Sequence, residues 1–149
     1  MGSVTFIGEH LFWGNLGHSA VVVSFISSIL ASLSYFFAER NPLDESWKKL
    51  AKISFQLHSL AVLTIIGALF KIIYSHYFEY HYAWQHSSRD LPVHFMISCF
   101  WEGQEGSFLL WIFWQMVIGQ ILLRTAKNWL NPVMAVIMLS QVALTSMLL

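Results

Sequence analysis

Charge is what this chain has least of. Of its 149 residues only 11% are Asp, Glu, Lys or Arg, against 56% hydrophobic residues, whereas soluble domains carry about 25% charged residues. With a mean hydropathy of +0.58, that shortage excludes an ordinary soluble domain. Eight basic residues balance eight acidic ones, so no basic surface for nucleic acid is expected. Cysteine occurs once, as Cys99, which rules out an internal disulfide, a CxxC redox pair and any zinc site built on several cysteines. Three prolines and eight glycines leave no Gly/Ser/Pro-rich linker, and no internal repeat is evident. The N-terminal "MGSVTFIGEHLFW" has no Lys or Arg and no small-residue cleavage site before the first apolar run, so it is not a secretory signal. Gly2 does not suit myristoylation, because Phe6 stands where Ser or Thr is required.

What the chain does have is long apolar runs. A membrane-crossing helix needs about 20 mostly apolar residues, and four segments meet or approach this: 16–38, 51–74, 106–123 and 132–149. The expected fold is therefore all-α, a polytopic membrane protein of four transmembrane helices. Arg40, Lys48, Lys49 and Lys52 gather between the first two runs, and Arg124 and Lys127 follow the third. Lys and Arg collect on the cytoplasmic side. The N-terminus and the 75–105 loop are thus expected outside. The fourth run ends on "SMLL" with no polar flank, which suggests the front part of a longer protein.

Gly17, Ala20, Ser24, Ser27, Ser28, Ala31 and Ser34 recur at steps of three and four along the first run. Small residues let membrane helices approach closely, so the stripe reads as a packing face. Seven histidines raise the question of haem, for which imidazole is a common axial ligand. His18 and His58 are the two that fall within the apolar runs, and are the candidate cofactor ligands. Counting rise from the ends of the runs separates their depths by roughly 15 Å, which argues against one iron bound by both. His76, His81 and His86 are spaced by five, about 140° per step on a helix, so they share no face. Tyr74, Tyr77, Phe78, Tyr80, Tyr82 and Trp84 surround them, the composition of an interfacial aromatic belt. No metal site is expected.

One stretch resists these general readings: "WEGQEGSFLLW", Trp101 to Trp111. Carboxylates suit the first turn of a helix, by about 0.3–1 kcal/mol each, and Gly103 and Gly106 would admit a close backbone approach. Helix entry with an aromatic anchor still does not account for the full combination. The stretch resembles the W-G-x-x-E-G-S-L-L-L-W signature of the CcmF/NrfE family of cytochrome c assembly proteins. Trp101, Glu105, Gly106, Ser107, Leu109, Leu110 and Trp111 match its letters, and Ser88, Leu91 and Pro92 match the family's outward segment ahead of it. Glu102 replaces the glycine after the tryptophan, with Gly103 one place on, and Phe108 replaces the first leucine of the triple.

The resemblance implies a membrane segment of a cytochrome c maturation factor. Such a factor takes part in covalent attachment of haem to apocytochrome c at the outer face of the cytoplasmic membrane. It implies haem as cofactor, with membrane lipid, apocytochrome c and other maturation subunits as partners, and Trp101, Glu105, Gly106, Ser107 and Trp111 as motif residues. The family's Trp-rich outward loop is absent from these 149 residues. The resemblance therefore assigns no catalytic residue and leaves open whether this segment is itself enzymatic. Glu105 is the residue expected to bond with another helix of a longer protein. The alternatives are a small b-type cytochrome or electron-transfer membrane subunit, which needs two histidines at one depth, and a transporter, for which Gln115, the strongly polar residue near the middle of the third run, is a weak cue.

Overall fold

Helix α1 runs over Leu11–Arg40 and α2 over Glu45–Tyr74, 30 residues each. The computed structural model describes residues 10–87, 92–96, 98–100 and 102–149. At 1.5 Å per residue each of these helices is about 45 Å long, more than the ~30 Å hydrocarbon thickness of a bilayer. Asn41 to Asp44 make the turn between them: Asp44 N–H donates to the Asn41 carbonyl (3.1 Å), and the Asp44 carboxylate accepts from Ser46 N–H (2.9 Å). This N-cap starts α2 six residues ahead of its apolar run, because Ser46, Trp47 and the lysines still suit an exposed first turn.

α2 ends where His76 takes a left-handed backbone conformation (φ 53°) and Tyr77 N–H reaches back to the Ile72 carbonyl (3.1 Å). That closure is usually made by glycine. Two short helices follow, α3 over His81–His86 and α4 over Val93–Met96, with a 3₁₀ turn at Ser98–Phe100. The bundle is completed by α5, Gln104–Thr125, and α6, Leu130–Ser146.

Every regular element among the described residues is helical, with no strand among them. By length and composition α1, α2 and α5 can each cross a membrane; α6, with 17 residues, is a shorter apolar helix. It begins at Leu130, two residues before the apolar run, and stops at Ser146, three residues short of its end. Helix α1 packs along α2 and α6, and α5 packs on α6 and α2. The small-residue stripe lies in this packing: Ala20, Ser24, Ser27, Ser28, Ala31 and Ser34 are all buried.

Three apolar clusters fill the bundle. Tyr35, Phe55, Met134 and Met138 lie toward the α1–α2 turn. Val62, Ile112 and Met116 lie in the middle, and Ala20, Val21, Ile65 and Leu109 toward the other end. Without a hydrophobic drive inside lipid, side-chain hydrogen bonds contribute to helix association. Ser32 donates to the Ala135 carbonyl (3.1 Å), Ser140 to Gln115 Oε1 (2.6 Å) and Gln141 Nε2 to the Ile112 carbonyl (3.0 Å). The Gln56 and Gln120 amides exchange bonds at 3.2 and 3.1 Å, and Gln120 also donates to Ser59 (3.0 Å). Gln115 thus ties α5 to α6, and no transporter-like broken helix is needed to account for it.

Candidate functional site

The motif occupies the entrance to α5. Gly103 is the N-cap, in extended backbone, and its carbonyl accepts from both the N–H and the Oγ–H of Ser107 (3.1 Å each). Gly106 is buried, and a β-carbon there would overlap the Phe100 carbonyl and the Tyr82 hydroxyl. Gly103 stands beside the Tyr82 ring and His86 Nε2, at 2.9 and 3.0 Å from where a β-carbon would lie.

Tyr82 is the strut of this corner. From α3 its hydroxyl donates to the carbonyls of Cys99 (2.9 Å) and Phe100 (3.1 Å), holding the 3₁₀ turn against the first turn of α5. Burial pushes the Tyr82 phenol above its ordinary pKa; a bond from Gly103 opposes the shift, and the charges of Glu105, Cys99 and Glu102 add to it. Burial likewise raises the Cys99 thiol, with Glu102 contributing.

The motif's letters divide by direction. Gly106 and Leu109 are buried, Ser107 is half-buried, and Glu105 and Trp111 are exposed, Trp111 at 64%. No hydrogen bond or ion pair joins Glu105 to another helix among the described residues. Trp101, Ser88 and Leu91 lie outside the described residues. Two grooves flank the site. One, of about 260 Å³, is wholly apolar, between Ile66 and Phe70 of α2, Phe100, and Leu109, Leu110 and Phe113 of α5. The other has Tyr82 and Glu105 in its lining.

A second anchor joins the start of α1 to the turn after α2. The Glu79 carboxylate accepts from His10 N–H (3.1 Å) and pairs with His10 Nδ1 (2.9 Å). The His10 ring stacks on Tyr77 at 4.0 Å. Tyr80 donates to the His10 carbonyl (2.6 Å) and accepts from Gly14 N–H (3.0 Å). Desolvation pushes the Glu79 carboxyl up, but bonds from its own backbone and from the His10 ring and amide outweigh it and hold the carboxyl below its ordinary range. Tyr80 and Tyr82, expected as belt residues, are thus structural ties. Trp84 and Tyr74 stay largely exposed, at 67% and 51%, as an interfacial belt requires.

The two candidate histidines lie apart. His18 is exposed on α1. His58 is fully buried, with Nδ1 at 3.1 Å from both the Oγ and the carbonyl oxygen of Ser24. Ser24 is six residues along α1 from His18, about 9 Å of rise. The separation is less than the roughly 15 Å counted from the apolar runs because both helices extend beyond those runs. Neither of the two grooves, nor a third between Leu16 of α1 and Leu60 of α2, has a histidine in its lining. No cluster of three or more His, Cys, Asp or Glu able to hold a metal occurs among the described residues. The described residues therefore do not fit as a set of axial ligands for haem, and no chemical step through haem is derived from them.

Comparison with known proteins supplies what the side chains alone do not. No protein-family profile and no curated protein matches the sequence. A solved structure described as cytochrome c haem lyase CcmF does match, with a TM-score of 0.82 and 22% identity over 98% of this chain. This chain is similar in fold to part of CcmF. It spans about a quarter (25%) of that haem lyase's length. The likeness to CcmF is one of fold, and it agrees with the resemblance carried by the Trp101–Trp111 stretch. The small b-type cytochrome alternative needs two histidines at one depth, and His58, level with Ser24, stands about 9 Å of rise from His18.

Proposed function

We propose that this chain is a membrane segment of a CcmF-like cytochrome c maturation factor, serving the covalent attachment of haem to apocytochrome c. The fold likeness to CcmF over 98% of the chain carries the reading. In this reading all four of α1, α2, α5 and α6 cross a bacterial cytoplasmic membrane; the 17 residues of α6 are at the short limit for a span. Arg40, Lys48, Lys49 and Lys52 at one end of the bundle, with Arg124 and Lys127, favour that end as cytoplasmic. The N-terminus, the 75–105 loop and the entrance to α5 then face the periplasm, where apocytochrome c and the other maturation subunits are met.

The segment's own part is to build and hold a surface. Tyr82 and Gly106 fix the 3₁₀ turn on α5, while Glu105 and Trp111 remain directed outward for the lipid, the substrate protein or neighbouring subunits. The haem chemistry itself is assigned to parts of such a factor other than these residues.

The test is holocytochrome c assembly in cells that depend on the gene encoding this chain. Glu105→Gln is expected to lower haem-stained holocytochrome c while the amount of chain in the membrane stays constant. Normal assembly in Glu105→Gln and also in Trp111→Ala would refute the role given to this surface.

A further inference from the structure

At the motif end of the bundle α1 and α5 do not close on one another. A crevice of about 200 Å³ separates them, with Gly17 and Val21 of α1 on one side, Leu109 of α5 on the other and Ala68 of α2 on the floor. Its lining is almost wholly apolar except at the mouth, where Tyr82 and Glu105 stand. Tyr82 is already committed to the Cys99 and Phe100 carbonyls, so among the described residues the charged group in the lining is the exposed carboxylate of Glu105.

We propose that this crevice binds one acyl chain of an ammonium-headed phospholipid, with the lipid ammonium held at Glu105. The inference rests on the membrane reading above and adds a ligand to the same site. Size sets the first limit. Pockets for drug-sized ligands run about 300–1,000 Å³, so this crevice is too small for a macrocycle and suits a single chain segment. A helix, about 10 Å across, does not enter it. An extended peptide would leave its N–H and C=O groups without partners against apolar walls, at several kcal/mol each inside a bilayer, whereas an acyl chain brings no such groups.

Charge sets the second limit. The described acids at this end are Glu79, Glu102 and Glu105, and Lys71 is the only described Lys or Arg there. Glu79 is held by His10, while Glu105 has no ion pair among the described residues. An acidic rim disfavours an anionic head and favours an ammonium.

The experiment is native mass spectrometry of the chain purified from vesicles of equal phosphatidylethanolamine and phosphatidylglycerol. One phosphatidylethanolamine is expected to remain bound to the wild type. Glu105→Gln should lower its occupancy about 1.4- to fivefold, the range of an ion pair near a surface. A β-carbon at Gly17 meets only the Ala68 methyl, at 3.7 Å, so Gly17→Leu projects into the crevice and should displace the lipid while circular dichroism shows the helices intact. No retained lipid in the wild type, retention of both lipids alike, or unchanged occupancy in Glu105→Gln would each overturn the proposal. Because the readout is lipid and not haem, such a failure leaves the proposed role in cytochrome c assembly standing, and failure of that role leaves this result readable.

Discussion

Replacing Gly106 with alanine sets two known effects against each other. In a helix alanine is favoured over glycine by up to about 1 kcal/mol, so helix propensity predicts a more stable protein. The site predicts the reverse. The added methyl overlaps the Phe100 carbonyl oxygen and the Tyr82 hydroxyl, and the Phe100 contact is backbone, which cannot rotate aside. Overpacking of this kind costs about 1–3 kcal/mol. Relief by moving the 3₁₀ turn breaks the Tyr82 bond shared between the Cys99 and Phe100 carbonyls, worth about 0.5–1.5 kcal/mol. The net expectation is a loss of about 1–4 kcal/mol. Gly67→Ala is the control, since a β-carbon there meets nothing within 4 Å and only the propensity gain remains. The chain provides its own probe: Cys99, its single cysteine, is 2% exposed and lies in the same turn. A maleimide that fluoresces on reacting with thiol, followed during heating in detergent, reports the opening of this corner. Cys99 should react at lower temperature than in the wild type for Gly106→Ala, and at the same or higher temperature for Gly67→Ala. If Gly106→Ala protects Cys99 as well as the wild type does, the close approach of α5 to the 3₁₀ turn is wrong.

The other expectations use the same preparation. Tyr82→Phe removes both carbonyl bonds and should cost about 0.5–1.5 kcal/mol by the Cys99 assay. Because burial raises the Tyr82 pKa, its folded state retains the phenol proton. The stability this gives is complete below the unfolded value near 10 and is lost as pH rises through the higher folded value, so the late-ionising part of the 295 nm absorbance should be smaller by one tyrosine in Tyr82→Phe than in the wild type. His76→Gly should stabilise the end of α2 by about 1 kcal/mol, since a left-handed L-residue costs roughly 1–2 and His76 holds that conformation. A double-mutant cycle on Gln56→Leu and Gln120→Leu should return a coupling near 0.6 kcal/mol, the average for hydrogen bonds between membrane helices; zero coupling would show that the amide pair does not join α2 to α5.

The long helices are legible in the sequence because an unbroken apolar run of about 20 residues is what a bilayer-crossing helix requires. Their ends are less so, and for particular reasons. Asp44 caps α2 well outside the apolar run, and His76 closes it at a position where glycine would have given a signal. The ties between helices leave no trace in the sequence at all. Gln56 and Gln120 are 64 positions apart, and neither a serine on α1 nor a glutamine on α6 announces its partner. By composition Tyr82 is one aromatic among many near a membrane surface. Its partners are the carbonyls of Cys99 and Phe100, and backbone groups have no letter of their own. His58 is legible as an intramembrane histidine but not as one whose Nδ1 meets Ser24.

The likeness to CcmF at 22% identity means that what the two chains share is chiefly geometry, and the motif can be divided on that basis. Gly106 is required by the approach of the Phe100 carbonyl, Leu109 fills the core, and Ser107 closes the first turn on Gly103. Those residues are accounted for by folding alone, so their replacement would damage any function through stability. Glu105 and Trp111 contribute little to the packing: one is an exposed carboxylate with no ion pair among the described residues, the other an indole 64% exposed. A carboxylate in the first turn gains at most about 1 kcal/mol from the helix dipole, which aspartate at the same place would supply equally. If Glu105→Asp assembles holocytochrome c as the wild type does, charge at the helix entrance is all that position provides. If it fails while Cys99 stays protected, the reach of the longer side chain is what a lipid or a neighbouring subunit uses.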